Sequence, residues 1–267
     1  MVDFNTNVGF SPLEQLRERQ ESVFERLSSG RRINDASDGA AAQQIIDRLT
    51  SNVEGNRQSI ANAFDGVSLA QVAEGGLSGI NDSVQRIREL SIQAGSGILT
   101  DADRSAIQAE VAQLQEGIVD TINSTEFAGQ SLLSSDSEIN FQVGANPGQT
   151  ISVGTQDFEA ALDGILNVDL STAEGAQNAL AEADAAQDLV GAAQSELGAT
   201  QNQFESAARN LATADVNAAA ARSRIQDTDF AQATAESIAL GVRTDAAIAI
   251  QAQANQQEGQ VLALLGQ

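Results

Sequence analysis

Apolar residues recur along most of this chain in alternating steps of three and four. The first run is Leu13, Leu16, Val23 and Leu27, with Gln20 in the middle slot. That spacing is a short heptad seam and predicts an amphipathic helix. Ser11-Pro12-Leu13-Glu14 supplies its start: a capping serine, a proline suited to the first helical position and an acid placed for a capping box. Gly30 stops it. A second helix is expected from about 40 to 94. Its seam is Ile46, Leu49, Val53, Asn56, Ile60, Ala63, Val67 and Ala70. The register slips once at Ala73 and resumes through Leu77, Ile80, Val84, Ile87, Ser91 and Ala94. Asn56 is a polar residue on an apolar seam, a common register-fixing device. "GSGILT" at 95–100 ends this helix, and Thr100 with Asp103 opens a third, 101–124.

Residues 126–170 lose the helical period. Ile139, Phe141 and Val143 alternate, as do Ile151 and Val153, on either side of "NPG" at 146–148. This pattern predicts a β-hairpin over about 138–154, followed by a short helix at 157–163. Ser171 and Glu174 form an expected capping box for the last long helix, 172–225. There one column reads Ala183, Val190, Leu197, Phe204, Leu211, Ala218 and Ile225, and its companion is almost all small residues. Small residues at one seam position let helix backbones approach closely.

Helices 40–94 and 172–225 would each run roughly 80 Å at ~1.5 Å per residue. The expected fold is therefore mainly α: an elongated antiparallel long-helix bundle with one small β-hairpin, plus a terminal two-helix coiled coil. The expected domains are 1–38, an N-terminal coiled-coil helix and connector; 39–231, a rod-like core; and 232–267, a C-terminal coiled-coil helix. Ile238, Val242, Leu262 and Leu265 mark the apolar side of that last helix, and Leu13, Leu16, Val23 and Leu27 that of the first. Nothing remains in the bundle to cover either, so they are expected to pair with each other and then to take a partner or be disordered until one arrives.

Composition narrows function. The chain has 267 residues and a net charge of −23; all 14 basic residues are arginine, and His, Cys, Tyr and Trp are absent. The usual nucleophiles, bases and proton shuttles are missing, so an enzyme is not expected, and neither is a cofactor or metal. Asp101-Ala-Asp103 lacks the glycine and the final acid of a calcium loop (Ala106 and Ala112 stand there). So acidic a surface repels nucleic acid and anionic membranes. An acidic chain without lysine suits concentrated salt, where repulsion is screened. No apolar run reaches transmembrane length, and no cleaved signal is visible.

One string remains unexplained: "ERLSSGRRIN" at 25–34 breaks a good helix early, followed by "DGAAAQQI" at 38–45. Both resemble the amino-terminal signature of bacterial flagellins. So do "NTN" at 5–7, "GVSLAQVAEGGLSGINDSVQRIRELSIQA" at 66–94, "IQAEVAQL" at 107–114 and "FQVGANPGQTISV" at 141–153. "LGATQNQFESAARNL" at 197–211, "ARSRIQDTDFA" at 221–231 and "QANQQEGQVLALLG" at 253–266 resemble the carboxy-terminal signature. The order matches the family along nearly the whole chain. The resemblance identifies Ser28, Ser29, Gly30, Arg31 and Arg32 as the spoke between an inner coiled coil and an outer core domain. It implies a minimal flagellin, since the family's variable outer domains would sit between the hairpin and the last long helix, where this chain has only residues 154–171. Residues 155–171 are accordingly expected to accept insertions.

The function the resemblance implies is a structural subunit that polymerises into the bacterial flagellar filament for swimming. It implies export unfolded through the flagellar type III apparatus, with an extracellular location. The implied partners are further copies of the chain, an export chaperone at the carboxy-terminal segment, and filament cap and hook-associated proteins. The alternatives are a hook–filament junction protein and a soluble helical scaffold or chaperone. One surface is expected to matter. Arg86 lies eight residues before Ala94 and Glu110 nine after Asp101. Each is about 12–14 Å from the turn, so the two should be side by side. With Arg88, Leu90 and Gln93 they make an expected subunit contact. In flagellins the matching region is also the surface bound by the flagellin-sensing Toll-like receptor.

Overall fold

The structure, a computed structural model, describes residues 10–265, with the side chains of all but 10–12, 258 and 261–265. In chain order the elements are α1 (Phe10–Ser29), α2 (Ala36–Ala94), α3 (Asp101–Ser124), β1 (Glu126–Phe127), β2 (Gln130–Ser131), β3 (Ser137–Gln142), β4 (Thr150–Thr155), α4 (Phe158–Ala161), α5 (Asp163–Leu166), α6 (Ala173–Gln226) and α7 (Phe230–Leu265). The "NTN" string and the side chains of Ser11, Leu262 and Leu265 lie outside the described residues. The chain divides into two compact units. One holds Glu54–Asp215; the other holds the chain up to Val53 and from Val216 onward.

In the Glu54–Asp215 unit, α2 and α6 run antiparallel in constant register. Arg88 Nε donates to Asp184 at 2.7 Å, and Arg57 Nε to Asp215 at 3.4 Å. These pairs are thirty-one residues apart on both helices, so neither helix slips against the other. Every position of the expected α2 seam from Asn56 to Ala94 is buried or half-buried. It joins Ile107, Val111, Ile118 and Ile122 of α3 and Ala183, Val190, Leu197 and Phe204 of α6 in one core. At roughly 25 cal/mol per Å² this apolar burial is the main stabilising term.

The helix ends are sealed as chemistry requires. Thr100 and Asp103 form a reciprocal capping box for α3. At α6 the capping hydroxyl is that of Thr172, which accepts from Gly175 N at 3.0 Å, rather than that of Ser171. Ser171 N instead donates to Asp169, whose carboxyl is held below its ordinary value by the Ser171 N–H and hydroxyl.

β3 and β4 pair antiparallel, Ser137 opposite Thr155 through Gln142 opposite Thr150. β1 and β2 form a second pair too short for sequence periodicity to reveal. Residues 154–171 correct one expectation. They fold as α4 and α5, not one helix, and Phe158, Leu162, Ile165, Val168 and Leu170 are all buried. Apolar residues at this spacing join the core of the unit.

In the other unit α1 packs on α7. Val23 on α1 is buried, and Leu13, Leu16 and Leu27 are half-buried. The seam of α7 is not the expected one. Ala233, Leu240 and Thr244 face inward, while Ile238 and Val242 are each 64% exposed. The pattern offers two apolar faces on α7, and α1 takes the one carrying Ala233, Leu240 and Thr244.

Candidate functional site

The string at 28–32 marks one of two helix breaks that zip together. α1 ends at Ser29, whose hydroxyl donates to Glu25 O at 2.8 Å and accepts from Arg31 N. Gly30 adopts φ +69°, a left-handed conformation that favours glycine. Gly30 O accepts from Thr228 N at 3.0 Å, and Arg31 bridges Asp227 in antiparallel fashion. Arg32 N donates to Gln226 O at 2.6 Å while its guanidinium donates to Ile225 O at 2.8 Å. The backbone groups freed where α1 stops thus find those freed where α6 stops. Two caps complete the junction. Asp38 accepts from Asn34 N at 3.0 Å and, more weakly, from Asp35 N; the Asn34 amide is the main reason its pKa is lowered. Asp229 accepts from Ala231 N and Gln232 N at the start of α7. Gly39 is extended, so regular helix in α2 begins one residue later, where the sequence placed it.

The terminal pair carries large apolar side chains in solvent. Phe24 is 70% exposed on α1; Ile238, Val242 and Ile250 project from α7.

On the other unit, Arg86 donates to Glu110 at 2.7 Å and to Glu89 at 3.0 Å. Its hydrogen bond to the Glu110 carboxylate, then that to Glu89, holds the guanidinium above its ordinary pKa. Both members of the Arg86–Glu110 pair are about half exposed, so the bond itself is worth only ~0–1 kcal/mol. Arg88 reaches Asp184 instead, and Gln93 is exposed. Leu90 departs from expectation. It is 2% exposed and lies in the core, three residues after buried Ile87 and four before buried Ala94 on the inward face of α2. The structure therefore brings Arg86 and Glu110 together and places Leu90 beneath the surface.

Arg104 is a residue the sequence reading missed. It is buried, and its three nitrogens donate to Ala94 O, Leu99 O and Ser96 O at 2.8–3.2 Å. It clips the α2–α3 turn by satisfying carbonyls that the end of a helix leaves free. A lone arginine at the start of α3 gives no sequence signal for this.

A cavity of about 370 Å³ opens between β4, α2 and α6, lined by Leu69, Leu77, Val153, Phe158, Glu196 and Leu197 among others. It carries no converging chemistry. Among the described residues no group of three or more acids could hold a metal, and no helix is long and apolar enough to cross a membrane.

Two long antiparallel helices, a hairpin against them and paired terminal helices define a helical structural subunit. The comparisons give it a family. Residues 11–138 match the bacterial flagellin N-terminal helical region and residues 180–265 the bacterial flagellin C-terminal helical region. The chain belongs to the bacterial flagellin family, which is structural rather than enzymatic. A phase 1 flagellin of Salmonella naestved is 48% identical over 146 residues, 54% of this chain and 29% of that protein. The match thus spans under a third of the relative's length. The crystal structure of Bacillus cereus flagellin shares the fold with a TM-score of 0.53 at 23% identity, covering 57% of this chain and 88% of that one. A Vibrio parahaemolyticus structure described as a flagellar hook-associated protein gives 0.63 at 16%, covering 71% and 100%.

Proposed function

We propose that this chain is the subunit of a flagellar filament. The observation that carries the reading is the terminal pair. α1 and α7 bury one seam against each other and leave Phe24, Ile238, Val242 and Ile250 in solvent. Apolar faces of that kind on a family of structural subunits call for further copies of the same chain. On this reading 1–38 and 232–267 are the terminal assembly helices, 39–231 is the core domain, and Ser28–Arg32 is the spoke. Export through the flagellar type III apparatus, a chaperone on the carboxy-terminal segment, contact with cap and hook-associated proteins, extracellular location and swimming motility follow from the same assignment. Arg86, Arg88, Gln93 and Glu110 would form the contact and receptor surface, with Leu90 supporting it from below.

Negative-stain microscopy of the purified chain after salting out tests this. Long uniform fibres are expected, and their loss when 1–30 and 232–267 are removed. A fragment that still polymerises without those segments would overturn the role given to the termini. The second reading, a hook–filament junction protein, is favoured by the Vibrio neighbour. It predicts discrete particles or short capped assemblies in place of extended fibres.

A further inference from the structure

The cavity beside β4 has no part in the proposed function. It measures about 370 Å³, and every residue that lines it belongs to the Glu54–Asp215 unit. No reactive groups converge on it, so what it offers is binding. Leu77, Leu133, Val153 and Phe158 give it an apolar floor, each 2% exposed or less. Asp136 and Glu196 also line it, and both are exposed, which puts two carboxylates at the rim. Asp157 N donates to one oxygen of Asp136 at 2.9 Å and holds that side chain in place. A volume of a few hundred Å³, an apolar lining and a small number of placed polar groups are what small-molecule sites have in common.

Charge selects the ligand. The unit holds 24 of the chain's 37 acids and five of its 14 arginines, a net of −19. Each of those arginines lies within 4.0 Å of an acid, and neither Asp136 nor Glu196 is among the acids so paired. Among the described residues no basic side chain lines the cavity. An anion is therefore repelled by the rim and by the unit as a whole, and a neutral molecule gains from the floor alone. A molecule with an apolar body and one positive head gains from both floor and rim. We propose that this cavity binds a small amphiphilic cation: an ammonium on a short aryl or alkyl body, with the body on the floor and the head at Asp136 and Glu196. The site belongs to the single subunit and stands whether or not the chain polymerises.

Isothermal titration calorimetry of the full chain with phenylbutylammonium and with phenylbutyrate tests this, at about 0.1 M salt, where charges still act over about 10 Å. Expected is saturable one-to-one binding of the cation. The anion shares the apolar body but reverses the head, and it should bind roughly tenfold more weakly or not at all. Glu196→Gln should weaken the cation about threefold, within what one exposed ion pair is worth. Asp188→Asn removes the same charge from an exposed position of α6 outside the lining and should leave binding unchanged. Ala193→Leu keeps every charge but fills the cavity from α6, and it should abolish binding. Circular dichroism checks that each variant is as helical as the parent. If Ala193→Leu fails that check, the comparison of Glu196→Gln with Asp188→Asn decides. Absence of cation binding by the parent overturns the site, as does equal binding of cation and anion. So does a well-folded Ala193→Leu that binds like the parent. Equal weakening by Glu196→Gln and Asp188→Asn would mean diffuse attraction to an acidic surface and no site. None of these results touches the filament reading, which microscopy tests separately.

Discussion

Phe204 and Gly66 occupy one space in the core: the ring of Phe204 lies over the Gly66 Cα so closely that a methyl group there would overlap it. Phe204 is fully buried and meets Phe141 of the hairpin edge-on, ring centroids 5.4 Å apart. The glycine therefore decides whether α6 can bring its aromatic residue between α2 and β3. Gly→Ala in a helix normally gains about 1 kcal/mol of propensity. Here overpacking should outweigh it, at about 1–3 kcal/mol. Gly66→Ala is expected to lower the midpoint of thermal unfolding, read by circular dichroism. A higher midpoint would mean the ring moves aside freely.

Arg104 should matter more than its solitary position suggests. Replacing it with Met keeps the aliphatic stem but leaves the carbonyls of Ala94, Ser96 and Leu99 without their donor. Unsatisfied buried groups cost ~1–3 kcal/mol each, and this turn is partly open to water, so a total of about 2 kcal/mol is expected. Urea unfolding of Arg104→Met measures it. Hydrogen exchange of residues 94–100 should quicken in the same variant; unchanged exchange there would show that the turn holds without the clip.

Insertions distinguish the two ends of the hairpin region. A short flexible tag between Leu162 and Asp163 should lower the thermal midpoint sharply, because it separates buried Phe158 and Leu162 from buried Ile165. The same tag between Pro147 and Gly148 falls in an exposed turn, where Gly148 sits at φ +83° with open space around it. There most of the thermal midpoint should survive. Equal tolerance at both sites would contradict the packing assigned to α4 and α5.

Much of this architecture is legible in the sequence because a heptad seam is a local signal. Asn56, Ala63, Val84 and Ile87 lie inward where the three-four spacing puts them. The signal fails where more than one face is apolar. α7 presents Ala233, Leu240 and Thr244 on one side and Ile238 and Val242 on another, and spacing alone does not say which meets α1. Leu90 shows the same limit from the opposite direction: its spacing from Arg86 suggested a shared surface, but its spacing from buried Ile87 and Ala94 puts it in the core. The Gly66–Phe204 fit and the Arg104 clip join residues through space, with no period to betray them. Arg86 and Glu110 could be paired in advance because a tight turn between two helices fixes their levels.

Acid should loosen the helix starts before it unfolds the core. Asp103 is held below the ordinary 3.8 mainly by the Thr100 hydroxyl, and Asp38 mainly by the Asn34 amide. A carboxylate with a depressed folded-state pKa stabilises fully above its unfolded value and loses that contribution as pH falls through the folded one. These caps should therefore act unchanged down to about pH 4 and fail below it. Stability of Asp103→Asn should accordingly be lower than the parent's at pH 7 and converge on it as the pH falls below the ordinary 3.8 and through the lowered folded-state value. A constant gap across that range would show that the carboxylate charge is not what seals α3.

Charge should also set the conditions of assembly, and it should do so through one unit. The Glu54–Asp215 unit carries −19, whereas the chain up to Val53 and from Val216 onward carries thirteen acids and nine arginines, −4. Repulsion between like units scales with the square of their charge. Removing three acids from −19 therefore relieves about seven times as much as removing three from −4. The screening length falls from about 10 Å at 0.1 M salt to ~3 Å at 1 M, so filaments should be favoured by salt. The triple variant Glu116→Gln, Asp120→Asn, Asp188→Asn alters exposed positions and should polymerise at clearly lower salt than the parent. Glu14→Gln, Glu18→Gln, Glu21→Gln removes the same total charge from the terminal helix and should shift the requirement little. Light scattering against sodium chloride concentration reads both. Equal shifts would mean that total charge governs assembly and that the units do not meet like to like; no salt dependence in any of the three proteins would remove electrostatic repulsion as a control on polymerisation.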